Sequence, residues 1–139
     1  ESQWRLFHRH PWLLQVSTGR SLLGPNALHN FETHIAVLAG LGLTDVERIN
    51  LIVMVDSYVS GMARTLIEAE QAAERTGLSD EQFWSAQQPF LIPPMQSGDY
   101  PEVASLDMSV FTEFGTSAFE FGLERVLDGV EVLLRGRTG

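Results

Sequence analysis

The chain has 139 residues, a formal net charge of −9 and no cysteine. That length suits one domain with a core that needs no staples, and the lack of cysteine excludes disulfide scaffolds, cysteine-ligated metals and thiol catalysis while suiting a reducing cytoplasm. The acidic balance argues against phosphate-backbone binding by this chain itself, and no apolar run reaches the roughly 18 residues that span a bilayer.

Gly and Pro divide the chain into helical blocks, with no alternating strand pattern and no hairpin dipeptide between them. It opens at Glu1, without a methionine, inside helical sequence, so a preceding N-terminal portion is expected. "ESQWRLFHRH" reads as the tail of a longer helix that ends at His10, because Pro11 disfavours helical geometry in the residue before it. "PWLLQVSTG" then holds a short helical turn with Pro11 in first position, closed by Gly19, and residues 20–24 form a link. The next helix starts at Pro25 and carries an apolar stripe of Ala27, Leu28, Phe31, Ile35 and Leu38 at three-to-four spacing. Gly40 and Gly42 stop it.

Thr44 and Glu47 have the capping-box spacing and start a long helix that Gly77 ends. Its centre is apolar nearly all round, through Ile49, Leu51, Ile52, Val53, Met54, Val55, Tyr58 and Val59, which predicts burial on more than one side. Ser57, Ser60 and Gly61 place small residues in its middle. A second capping box, Ser79 to Gln82, starts a short helix that Pro89 and the pair Pro93-Pro94 are expected to stop. Beyond it, one short helix near Glu102 to Leu106 and a loop are expected, and the final helix begins near Ser117.

That last helix carries Gly122 and Gly129, each costing about 1 kcal/mol relative to alanine. Phe119, Leu123, Val126, Leu127, Val130, Leu133 and Leu134 form a core-facing stripe, and Phe121, Glu124, Asp128, Glu131 and Arg135 a mainly solvated one. A third strip runs through Ala118, Gly122, Arg125, Gly129, Val132 and Gly136. Small residues let two helix axes approach closely. Their neighbour is either another helix of the same chain or the equivalent helices of a second subunit, and two helices that each need more than one buried side favour the symmetric dimer.

No catalytic constellation is present: there is no G-x-S-x-G and no phosphate-binding glycine loop. His8 and His10 do not share a helix face, and His29 and His34 are poorly spaced, so no metal site and no cofactor are expected. His34, beside Phe31, Ile35 and Leu38, is either a polar group orienting a ligand or a histidine satisfied by a neighbour. Asp56 lies in a strongly apolar helix, where a carboxylate is costly unless exposed or paired; it reads as structural, with Arg64 and Arg125 as candidate partners. Trp4, Trp12 and Trp84 are large packing anchors.

"FEFGLERVLDGVE" resembles the closing helix of the regulatory domain of tetracycline repressor-type (TetR family) transcriptional regulators. "RHPWLL" resembles the junction after that family's connecting helix, "NFETHIAVLAGLGLTDVE" the next helix and its turn, and "INLIVMVDSYVSGMA" the first dimerisation helix. The resemblance spans nearly the whole chain. It implies an all-α ligand-binding and dimerisation domain over residues 1–139, in which residues 44–75 and 117–135 of each subunit form a four-helix dimer bundle. It further implies a homodimer, a small-molecule effector, and operator DNA bound only through an N-terminal helix-turn-helix domain that this chain does not contain. Tetracycline-binding members hold a magnesium–drug chelate with a histidine where Gln15 stands here, so a different, more apolar effector is implied.

The candidate ligand contacts under this resemblance are Trp12, Gln15, Phe31, His34, Leu38, Ile49, Ile52, Tyr58 and Met62. The candidate dimer contacts are Met54, Ser57, Gly61, Ala118, Gly122, Arg125, Gly129 and Val132. The expected function is effector-controlled repression in the cytoplasm. The alternatives are a helical small-molecule carrier or enzyme, whose pocket would need converging titratable groups, and a ligand-free dimerisation module, which would have no cavity.

Overall fold

A computed structural model of the chain describes residues 2–16, 24–111 and 116–136. The expected closure at Gly19 and most of the link at 20–24 lie outside these residues. Among the described residues all regular structure is helical, with no strand: α1 (Ser2–Arg9), a 3-10 turn (Pro11–Leu14), α2 (Pro25–Val37), α3 (Asp45–Thr76), α4 (Asp80–Gln96), α5 (Pro101–Ala104), a second 3-10 turn (Met108–Phe111) and α6 (Thr116–Arg135). None of these helices is long and apolar enough to cross a membrane. The chain forms two compact units, one of residues 1–65 with 119–139 and the other of residues 66–118.

The helix ends follow local chemistry. Pro25 occupies the first turn of α2, where a missing N–H costs nothing. At α3, the Thr44 backbone N–H donates to Glu47 Oε2 at 2.8 Å and the Glu47 N–H donates to Thr44 Oγ1 at 3.4 Å, so the capping box forms as its spacing predicts. Gly77 ends α3 at φ +68°, a left-handed conformation that glycine adopts without steric cost.

In the first unit, α3 sinks one ridge. Leu51, Val59 and Ala63 are buried at multiples of four residues, with Val55 half-buried between them. The opposite face stays open: Val46, Val53, Met54, Ser57 and Gly61 are exposed. The expectation that α3 is buried on more than one side is therefore met on one side only within a single chain.

Three interactions tie α1, α3 and α6 together. The amide of Gln3 donates to Asp56, the Tyr58 hydroxyl donates to the Phe119 carbonyl at 2.9 Å, and the Trp4 ring stacks on Phe119 at 4.1 Å between centroids. Phe119 also lies nearly parallel to Tyr58 at 6.0 Å, so three aromatic rings from three helices adjoin. Arg64 donates to the Leu14 carbonyl at 2.7 Å, anchoring the first 3-10 turn to α3. Neither Arg64 nor Arg125 pairs with Asp56, because Arg125 is engaged on its own helix by Asp128 at 2.8 Å and Glu124 at 3.4 Å.

The second unit departs from the sequence-based expectation at α4. Its N-terminus has the expected box, with Ser79 and Gln82 exchanging both hydrogen bonds. The helix then runs through Pro89, Pro93 and Pro94 to Gln96 instead of stopping. Each proline deletes one rung of the ladder, but its fixed φ of about −65° is already helical, so consecutive turns can persist. The chain leaves α4 where the Ser97 hydroxyl donates to the Pro94 carbonyl and Gly98 takes φ +87°. In the same unit α5 is confined to Pro101–Ala104, shorter than expected. Helix α6 already includes Thr116, one residue before the expected start.

Candidate functional site

Within the first unit, α1, α2, α3 and α6 line an open cavity of about 260 Å³, with His34 and Asp56 exposed at it. Helix α2 contributes His34, Val37 and Leu38, which share a face because they lie three and four residues apart. Helix α3 contributes Leu51, Ile52, Val55 and Asp56, two adjacent pairs one turn apart, and α6 contributes Leu127 and Val130. Gln3 enters from α1, and its amide occupies the Asp56 carboxylate. The lining is thus apolar from three helices, interrupted by Gln3, His34 and Asp56. A few polar groups among apolar walls make the usual arrangement of a small-molecule site: apolar surface supplies affinity and polar groups set orientation.

Of the nine candidate ligand contacts, His34, Leu38 and Ile52 line this cavity. Tyr58 is not among its lining residues; it is turned to the Phe119 carbonyl and ring. Met62, one turn further along α3, is half-buried and also away from the lining. Trp12, Gln15, Phe31 and Ile49 are exposed and do not line it. The α2 stripe is shallower than its periodicity suggests, for no residue of α2 is buried.

Asp56 carries a signal legible in the sequence, a carboxylate set in an apolar helix; the structure leaves it exposed, one of the two expected outcomes, where it borders the cavity. Val37, Leu51, Val55, Leu127 and Val130 give no signal beyond apolarity, and Gln3 gives none. Among the described residues no three His, Asp or Glu side chains gather as a metal cluster.

The dimer candidates divide. A Cβ at Gly122 would lie 2.7 Å from Tyr58 Cζ and 2.9 Å from Tyr58 Cε2, with the hydroxyl oxygen nearer still, so the close neighbour of Gly122 belongs to the same chain. That contact accounts for this glycine within one chain, the first of the two neighbours the sequence left open. Ala118, one turn earlier, is half-buried. Nothing lies within 4 Å of the place a Cβ at Gly129 would take, and the same holds for Gly61 on α3. Around them lies exposed apolar surface, with Val53 56%, Phe121 64% and Val132 69% exposed. Met54 and Ser57 are exposed on the same face of α3 as Val53 and Gly61. Arg125 is held on α6 over the Phe121 ring at 5.3 Å. Leu127 and Leu133, placed by periodicity on the core side, are also exposed.

The cavity is thus walled by four helices, two of which, α3 and α6, also carry open apolar stripes. Residues 2–134 match the family described as the tetracyclin repressor-like C-terminal domain, and the chain belongs to that family. It is 46% identical over 135 residues to a protein named HTH-type transcriptional repressor DrrR1, from Streptomyces coeruleorubidus. The match covers 96% of this chain and 49% of that protein, so the chain spans about half the length of its curated relative. Family and relative both point to a transcriptional regulator rather than an enzyme.

Proposed function

We propose that this chain is the effector-binding and dimerisation half of a cytoplasmic transcriptional repressor, and that its domain extends over residues 1–139. The relative's name supports repression, and operator contact falls to a helix-turn-helix domain outside this sequence. The observation that carries the effector role is the open cavity bounded by His34, Leu38, Ile52 and Asp56 on two helices and flanked by α1 and α6. An effector bound there regulates only through differential affinity for two conformations, typically about 1–3 kcal/mol of coupling.

The open stripes of α3 and α6 supply the second role. Met54, Ser57 and Gly61 on α3, with Arg125, Gly129 and Val132 on α6, form the interface in this reading. Apolar side chains and small gaps let helices of two subunits approach.

Sedimentation equilibrium of the chain, with Met54→Asp and Val132→Asp, tests the dimer: the parent sediments as a dimer and both variants as folded monomers. A monomeric parent would overturn the interface. Thermal-shift measurements with small apolar compounds test the cavity: stabilisation is expected in the parent and lost in Val130→Trp, which fills the space. Stabilisation that survives this substitution places the ligand elsewhere.

A further inference from the structure

We infer that Asp56 is the charged anchor of the cavity and that the effector is a small apolar molecule carrying one ammonium group, which takes the carboxylate from the amide of Gln3. The inference rests on the effector-binding reading above. Among the described residues Asp56 is the one acidic side chain lining the cavity, and no lysine or arginine lines it. Among those residues Asp56 also has no ion-pair partner. The guanidinium groups named as candidates are committed elsewhere, Arg64 to the Leu14 carbonyl and Arg125 to Glu124 and Asp128. Among the described residues the carboxylate, which is exposed, holds only a neutral amide donor from Gln3, although its two oxygens offer about four acceptor positions.

Charge decides which ligand gains most. A cationic donor makes a charge-assisted bond to a carboxylate, roughly twice as strong as a neutral one, so it outcompetes the Gln3 amide. An anionic ligand meets Asp56 with no lysine or arginine in the lining to offset the repulsion. A neutral apolar ligand gains the walls but leaves Asp56 and Gln3 as they are. The net charge of −9 also raises the local concentration of cations around the chain. The volume of about 260 Å³ suits one or two fused rings, since drug-sized pockets run from roughly 300 to 1,000 Å³. Displacement of Gln3 removes one tie between α1 and α3, and the Trp4–Phe119 stack remains as the contact of α1 with α6.

Calorimetric titration of the 139-residue chain with 1-naphthylmethylammonium, neutral 1-naphthylmethanol and anionic 1-naphthoate tests the anchor. The ammonium ion is expected to bind the parent about tenfold more tightly than the alcohol, with the anion weakest. Asp56→Asn, which keeps the shape and an acceptor for Gln3, is expected to bring the ammonium ion and the alcohol to equal affinity. Gln3→Ala is expected to tighten ammonium binding by removing its competitor. Equal binding of ammonium and alcohol, or a preference that survives Asp56→Asn, overturns the anchor. If the alcohol still binds and Val130→Trp abolishes it, the effector cavity stands without the anchor. Weaker ammonium binding in Gln3→Ala overturns the displacement. Failure of all three probes to bind overturns the anchor and the effector reading together.

Discussion

Tyr58 on α3 occupies the space that a side chain at Gly122 on α6 would need, and its hydroxyl donates to the Phe119 carbonyl one turn away at 2.9 Å. The ring is fixed at both ends, by that hydrogen bond and by its near-parallel packing on Phe119. A glycine that weakens its own helix by about 1 kcal/mol is thereby exchanged for an interhelix contact.

Gly122→Ala is therefore expected to destabilise the chain by about 1–3 kcal/mol, because overpacking outweighs the gain in helix propensity. Urea unfolding measures it. Tyr58→Phe alone should cost about 1 kcal/mol for the lost hydrogen bond. Combining it with Gly122→Ala should cost less than the sum, since removal of the hydroxyl relieves the nearest clash.

Gly129 should behave in the opposite way. Nothing lies within 4 Å of the place its Cβ would take, so Gly129→Ala should leave the subunit fold intact and strengthen α6 by up to about 1 kcal/mol. Gly129→Leu should leave the helical circular dichroism unchanged and weaken association in sedimentation. Unfolding of Gly129→Leu at dimer-dissociating concentrations would count against this contrast.

Arg64 donates a charged hydrogen bond to the Leu14 carbonyl across fifty residues of sequence. Arg64→Ala should lower stability by about 1.5–3 kcal/mol, the usual range for hydrogen bonds to charged groups. Hydrogen exchange should then rise first at the amide of Gln15, which bonds within the adjoining 3-10 turn.

The cap of α3 gives a smaller effect. Thr44→Ala removes the hydroxyl that accepts from the Glu47 N–H and donates to its carboxylate at 2.7 Å. A loss of about 1 kcal/mol in thermal or denaturant unfolding is expected. Glu47→Gln should cost less, since glutamine can still accept from the Thr44 N–H.

Local chemistry determined a great deal by itself. Thr44 with Glu47, Ser79 with Gln82, Pro25 and Gly77 act within one turn of chain, so their types and spacing were enough to place the helix ends. The apolar pattern of α3 and α6 also marked them as helices in need of more than one buried side, and the two glycines announced a close approach somewhere. Propensity misjudged α4, because a proline's cost is measured against tertiary context that the local pattern does not contain. Which glycine meets which neighbour was equally undetermined. Gly122 and Gly129 share a strip on one helix, yet only the tertiary structure brings Tyr58, from sixty-four residues earlier, against the first and leaves the second open. The same holds for Asp56 and Gln3, whose pairing joins helices fifty-three residues apart. Side-chain periodicity fixes the face a residue shares with its own helix; the partner across that face depends on how the helices pack, and no spacing along the chain encodes it.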